Sequence, residues 1–396
     1  MSSYFSLQLK KVTKHNLSII SVVILSLISF GLLYMKSTQL SGTGSLKGDA
    51  QGQIAMKKEA LQADRQALKR YSPQGKSYKA TEKDIKQTEK DIKQTEKELK
   101  KDQAFVDNIN HNHWKRVYET KLKRDQKGKL TDLSSDEKDG HKSAILRLKY
   151  LIAHPMPYES DSAVTGIQFL LDLNENYLPV LFSLVMIFVL TYLFTGSYKN
   201  GLNISTVLPI NRLQSTLTNN IVGLLVVSFI FLLLNLLVFG GAASIFGTGR
   251  SDYPYIIHHL VNDHLVPGII PTAKLLPQAA ILQLLNFIFM VLFVQLAAKV
   301  FHNQLPTLLV SLLLLLGGHF ITIFIIPLEK IAQWLPGTYL GVLNVVSNQT
   351  AYAMDNSAIS FSNGVFTLTL SSILLFLLVL LIDRITTVAH RNGRLA

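Results

Sequence analysis

The sequence predicts an all-α membrane protein: six transmembrane helices, both termini cytoplasmic, and a mainly helical, coiled-coil-like extracytoplasmic domain between the first and second helices. Three observations carry this. The 396 residues are 48% hydrophobic and only 16% charged, against about 25% charged in an ordinary soluble domain. The charges are concentrated, since 27 of the 39 Lys and Arg and 21 of the 26 Asp and Glu fall within residues 36–175. Outside that block, six uncharged runs approach the ~20 apolar residues needed to cross about 30 Å of hydrocarbon. They are Leu17–Tyr34, Leu178–Phe194, Ile221–Phe239, Ala279–Ala298, Pro306–Pro327 and Val365–Ile382.

The first run follows Lys10, Lys11 and Lys14, as a secretory signal would. It is longer than a signal core and no A-x-A cleavage site follows, so residues 17–35 are read as a retained anchor helix. Orientation follows from basic residues, which are held on the cytoplasmic side during insertion. With the N-terminus inside, the cytoplasmic segments hold Lys10, Lys11, Lys14, Lys199, Arg212, Lys299, Arg384, Arg391 and Arg394 against Asp383 alone. The short outer loops hold Arg250, Lys274 and Lys330 against Asp252, Asp263, Glu329 and Asp355. This bias makes the chain a multi-pass protein of the cell membrane with residues 36–175 extracellular. Much of the net charge of +13 is then a topology signal, and no nucleic-acid partner is expected. With no cysteine, disulfides, thiolate metal sites and Cys nucleophiles are excluded.

Within the insert, Ser41–Gly48 reads as a Gly/Ser linker, Ile54–Tyr71 as a helix, and the Pro-x-Gly of Ser72–Gly75 as a break. A second helix is expected from Thr81 to about Arg124, on the order of 65 Å long at 1.5 Å per residue. Its heptads TEKDIKQ, TEKDIKQ and TEKELKK start at Thr81, Thr88 and Thr95 and set Ile85, Ile92, Leu99 and Val106 on one seam. Glu82/Lys86, Glu89/Lys93 and Glu96/Lys100 add i,i+4 pairs, each worth about 0.2–0.5 kcal/mol. Thr at every second seam position makes a thin stripe, which fits an antiparallel hairpin with Ile54–Tyr71, or packing on a second subunit, better than a free-standing dimer. A solvated single helix is the alternative. Asp125–Asp139 reads as a loop, Ala144–Ile152 as a short amphipathic piece, and Thr165–Leu173 as an outer-surface helix leading into the second span. His111 and His113, two apart, would face different sides of a helix, which argues against a metal site.

Polar residues inside apolar helices need partners, so Asn235, Gln283, Asn286, Gln295, His319 and Thr322 are expected to face other helices or a cavity. Asn235 and Asn286 lie near mid-depth and are the candidates for a translocation path. No span has an ionisable residue near its centre, which argues against a proton- or sodium-driven carrier. Tyr253–Leu265 reads as an amphipathic helix on the membrane surface. It carries His258, His259, Asp263 and His264, among which a zinc site is conceivable, although no metal is assigned.

Between the second and third runs lies GSYKNGLNISTVLPINRLQSTLTNN, residues 196–220. An aromatic and basic start, a Gly, a short amphipathic helix and Leu-Pro-Ile-Asn-Arg resemble the coupling segment of ABC type-2 exporter permeases, E-x-x-x-G-T-x-x-x-L-L-x-x-P-I-S-R. The matching positions are Gly201, Leu208, Pro209, Ile210 and Arg212, with Asn211 in place of Ser, while Ser197-Tyr198-Lys199 stands where the family has its acidic residue. The basic stretch Tyr4–His15 is similar to the family's cytoplasmic elbow helix, and Leu335-Pro336-Gly337-Thr338-Tyr339 to its outer LP-x-x-Y element. The resemblance covers about residues 1–35 and 176–396, and the insert matches nothing.

The resemblance implies an elbow helix over 1–16, a membrane domain over 176–384 with coupling segment 196–220, and a cytoplasmic tail over 385–396. It also implies a homodimer of permease subunits, paired with a separate ABC ATPase, exporting an amphiphilic substrate such as an antimicrobial peptide, drug or lipid. Lys199, Gly201, Leu208, Pro209, Ile210, Asn211 and Arg212 would receive the ATPase's motion. No G-x-x-x-x-G-K-[ST] occurs in the chain, so ATP would be bound by the partner and no cofactor is expected here. There is no G-x-S-x-G or H-E-x-x-H either, and no catalytic residue is assigned. The competing readings are an ATPase-independent six-span surface scaffold or receptor of the phage-infection type, and a sensor of extracellular peptide.

Overall fold

A computed structural model describes residues 5–6, 8, 10, 16–42, 45–70, 82–126, 135–159, 162–199, 202–203, 211–262 and 264–391. The chain is mostly helical and divides into two compact units, one formed by Met1–Leu33 with Thr165–Ala396 and the other by Tyr34–Val164. Among the described residues, six helical stretches are long and apolar enough to cross a membrane: Ile19–Thr38, Gly166–Thr195, Leu213–Phe246, Thr272–Phe301, Gln304–Ile321 and Phe361–Ile385.

Helix α1 (Asn16–Gly42) carries the first apolar stretch, and the second unit continues with α2 (Leu46–Arg70). Of the expected linker Ser41–Gly48, Ser41–Gly42 and Leu46–Gly48 are helical, and Ser45 Oγ accepts from the Gly48 amide at 2.9 Å, as an N-cap does. Helix α3 (Glu82–Asn110) covers the heptads from Glu82 onward, with Ile85, Thr88, Ile92, Thr95 and Leu99 half-buried along one stripe. It runs antiparallel to α2, as the ion pairs Lys57–Asp102 at 2.8 Å, Lys57–Glu98 at 3.2 Å and Arg65–Glu96 at 2.6 Å require.

The single helix expected to reach Arg124 is broken. Asn112 turns into the left-handed region at φ 58, and a new helix, α4 (Trp114–Asp125), starts beyond it. Asn tolerates this conformation at little cost. The break lets α4 fold back, so that Arg124 reaches Asp102 at 2.8 Å and lies 4.8 Å above the Phe105 ring. Helix α5 (Ser135–Ala153) starts well before the short piece expected at Ala144 and packs on α4. Val117, Tyr118 and Leu151 are fully buried there, and Tyr118 Oη donates to the Met156 carbonyl at 2.7 Å.

In the first unit, α6 (Gly166–Asp172) passes through a π-helical turn, Leu173–Tyr177, into α7 (Leu178–Thr195). Thr165–Leu173 is therefore the beginning of a continuous apolar stretch. Two short strands, β1 (Tyr198–Lys199) and β2 (Leu202–Asn203), pair antiparallel. Helix α8 (Arg212–Phe246) begins at Asn211, whose side chain accepts from the Leu213 amide at 3.3 Å, an N-cap that fills one of the helix's orphan donors. Gly247 at φ 84 ends it, with its amide on the Ala243 carbonyl.

Residues 253–265 are not a surface helix. Pro254–Val261 is a strand, β3, paired in a hairpin with β4 (His264–Pro271), in register from Pro254↔Pro271 to Val261↔His264. Pro254, Pro267 and Pro271 and the β-branched Ile and Val oppose a helix, and Asn262 at φ 49 supplies the left-handed residue that a two-residue turn needs.

Helix α9 (Leu276–Phe301) is the hub, packed against α7, α8, α10 (Gln304–Ser311) and α15 (Phe361–Arg391). A second π-helical turn, Leu312–Leu316, joins α10 to α11 (Gly317–Phe324), and the stretch bends at Ile325 into α12 (Ile326–Glu329). Two 3-10 turns, Ala332–Trp334 and Pro336–Leu340, then lead through α13 (Val342–Val346) and α14 (Gln349–Ala353) to α15. A Cβ on Gly337 would lie 2.6 Å from the Gly318 carbonyl carbon, so this crossing admits only glycine. Phe229, Leu232 and Leu236 form an exposed stripe on α8 of the kind that lipid, and not water, accommodates.

Candidate functional site

The two Asn side chains expected at mid-depth come to the same small pocket, Asn286 as part of its lining and Asn235 through its hydrogen bond to Asn174, which also lines it. Asn286 on α9 is buried, and its Nδ2 donates to the Tyr339 carbonyl at 2.5 Å. Asn235 on α8 donates to the Phe231 carbonyl at 2.7 Å, and its Oδ1 accepts from Asn174 Nδ2 at 2.7 Å. Asn174 belongs to the π-turn and also donates to the Leu170 carbonyl at 2.7 Å.

Asn174, Ser183, Gln283 and Asn286 line a small pocket with room for about one water molecule. Asn235 stands behind it, one hydrogen bond away. Phe182 and Phe231 are part of its apolar wall, and Phe287 packs behind them, the three ring centroids lying 5.2–5.7 Å apart with two of the contacts edge-on. Amides and hydroxyls neither ionise nor attack carbonyl groups here, so the arrangement can bind and orient polar groups but supplies no acid–base chemistry.

Leu340, the residue after the Leu335–Tyr339 stretch, also lines the pocket. Tyr339 is fully buried, donates to the Gln333 carbonyl at 2.7 Å, and presents the backbone carbonyl that Asn286 uses. Burial pushes its phenol up to about 12. His319 Nδ1 meets the Gly337 carbonyl at 3.0 Å, so its partner is backbone at the glycine crossing. On the hairpin, Tyr255 Oη donates to Glu175 Oε2 at 2.9 Å, and burial first, then the Glu175 carboxylate, push that phenol upward.

At the end of the bundle where α8 begins and α9 and α15 finish, a second polar cluster was read in the sequence only as topology charges. Lys299 Nζ pairs with Asp383 Oδ2 and donates to Thr216 Oγ1 at 2.9 Å. Thr216 Oγ1 in turn donates to Asp383 at 2.8 Å, and Gln295 Nε2 donates to the Thr216 carbonyl at 3.4 Å. Both charged side chains are largely buried, at 11% and 20% exposure. The signal available in the sequence was one Lys and one Asp at the ends of two apolar runs, without anything to show that they meet.

Of the residues assigned to coupling, Lys199 pairs with Leu202 in the β1–β2 ladder, Asn211 caps α8 and Arg212 is its first residue. Gly201, Leu208, Pro209 and Ile210 lie outside the described residues. Tyr198 sets its ring 4.7 Å from His302, whose pKa is lowered by burial.

The histidines of the hairpin are not gathered. His258 and His259 are adjacent on a strand and project to opposite faces. His258 is buried and stacked on Tyr352 at 4.2 Å, whereas His259 is exposed. Asp263 lies outside the described residues. The His111 and His113 rings stack on each other at 6.1 Å. Among the described residues, no group of three His, Cys, Asp or Glu could hold a metal ion.

No family model, no curated protein and no solved structure matches the chain.

Proposed function

We propose that the chain is the membrane subunit of an ABC exporter, acting as a homodimer with a separate ATPase to move an amphiphilic compound out of the cell. The observation that carries this is the pairing of six apolar helices with a short polar segment between the second and third, ending at the Asn211-capped start of α8. Topology follows from the Lys/Arg bias: termini and residues 196–220 inside, residues 36–175 outside. Closure of the ATPase would push on residues 199–212, and α8 would carry that push along its 35 residues to Asn235 and the polar pocket. The pocket is nearly closed, as a resting state requires of a path through which the cell must not leak.

The six-span scaffold or receptor is the second reading. Its support is the folded Tyr34–Val164 unit, which a surface receptor would need and an exporter need not have. The two readings part at the coupling segment. With Pro209→Ala and Arg212→Glu combined, the purified complex is expected to keep ATP hydrolysis within about twofold while transport into inverted vesicles falls at least tenfold. Equal loss of both, or loss of neither, contradicts the coupling role.

A further inference from the structure

The π-turn Leu173–Tyr177 ties two parts of the membrane unit together through consecutive side chains. Asn174 turns inward, to Asn235 and the pocket. Glu175 turns to the hairpin, where Tyr255 Oη holds its carboxylate at 2.9 Å and Asn344 Nδ2 holds its carbonyl at 3.1 Å. The hairpin has its own anchorage on the α13–α14 segment. The His258 amide donates to the Ser347 carbonyl at 2.8 Å, Asn348 Nδ2 donates to the His258 carbonyl at 2.7 Å, and the His258 ring stacks on Tyr352.

A π-turn accommodates one more residue than an α-turn and is less stable by itself, so it persists where neighbours hold it. Removing that extra residue from the turn would rotate one flank against the other by about 100° around the helix axis. Such a rotation would take Asn174 away from Asn235, break the 2.7 Å bond between them, and open the wall of the pocket.

We propose that the β3–β4 hairpin is the gate of the polar pocket: the Tyr255–Glu175 hydrogen bond keeps Leu173–Tyr177 in its π register, and releasing the bond lets the turn rewind and the pocket open. The gate is a positioning device, since neither Tyr255 nor Glu175 lines the pocket. It rests on the reading of the pocket as part of the substrate path, but not on the identity of the ATPase.

The chain has no cysteine, so a single introduced thiol reports access cleanly. Ser183→Cys places one on the pocket wall, at 3% exposure, and Ser311→Cys places a control in α10 at 0%. Full-length protein in lipid nanodiscs would be treated with 2-aminoethyl methanethiosulfonate and the labelling rate followed by mass. Tyr255→Phe is expected to raise the rate at Ser183→Cys about fivefold, the effect of one lost hydrogen bond of ordinary strength on a two-state equilibrium. Glu175→Gln, whose amide oxygen still accepts from Tyr255, is expected to label at the parent rate. The inference is overturned if Tyr255→Phe leaves the rate unchanged. It is also overturned if the rate at Ser311→Cys rises in parallel, which would mean that the bundle has loosened as a whole, or if Ser183→Cys labels freely in the parent chain. The readout uses no ATPase, so a failed exporter reading and a failed gate give different results.

Discussion

Lys299 and Asp383 illustrate what single side chains contribute to the bundle. A buried charge is costly unless paired, and each of these is paired and shares Thr216 as a third partner. Replacing one member strands the other: Lys299→Met or Asp383→Leu alone is expected to destabilise the folded protein by about 3–5 kcal/mol. Replacing both is expected to cost far less, because no uncompensated charge is left in an apolar setting. Thermal unfolding of the four proteins in one detergent checks this, and additive single effects would show that the pair is not coupled. Neither residue was legible as a partner of the other, since they are 84 positions apart and each has an ordinary explanation as a charge at a helix end. Asn286 was legible as a buried polar group from its apolar surroundings, but its partner, the Tyr339 carbonyl 53 residues on, was not. Local context reveals that a polar group needs a partner; only the fold reveals which.

Among the elements, those read correctly have a strong period of their own. The heptads of α3 specify helix and seam locally, so Ile85, Ile92 and Leu99 lie on one stripe. The hairpin is hard to read locally because Tyr and His suit a membrane interface as well as a strand, although the two β-branched runs flanking Asn262-Asp263, and the three prolines, are strand and turn signals. The break at Asn112 escaped for a different reason. The low-propensity run Asn108–His113 is the local signal for a break, but it does not give the turn, which is stabilised by contacts such as Arg124 with Asp102 and Phe105 that no local pattern contains.

The α2–α3 pair also has a readable pH dependence. The Lys57 ammonium, through its hydrogen bond to Glu98, holds that carboxyl below its usual range. A depressed carboxyl stabilises the fold above its unfolded value of 4.5 and loses that contribution as pH falls through the folded one. Burial opposes the charge on Lys57, but the hydrogen bonds to Asp102 and Glu98 outweigh it and raise the pKa, so its contribution is present below 10.5 and is lost at higher pH still. Amide hydrogen exchange across Leu46–Arg70 and Glu82–Asn110 is therefore expected to be slowest, relative to the intrinsic rate, between those limits. Exchange protection that does not decline below pH 4.5 would remove the Lys57–Glu98 pair from the account.

At the scale of the whole molecule, the concentration of charge in residues 36–175 is the sequence counterpart of a division into two units. Lipid demands the nearly charge-free stretches of the first unit, and water permits the charged helices of the second. The membrane unit carries the polar pocket and the Lys299–Asp383–Thr216 cluster at separate positions along α8 and α9, so one pair of helices links the proposed point of ATPase contact to the proposed path. That link has meaning only if an ATPase is present. The most direct measurement is the composition of the intact complex: the full-length chain is purified from its native membranes in mild detergent, and its partners are identified and counted by mass spectrometry. An ABC ATPase in one-to-one ratio with the chain, in a particle containing two copies of each, is the result expected; a chain recovered intact with no nucleotide-binding partner would contradict the exporter account.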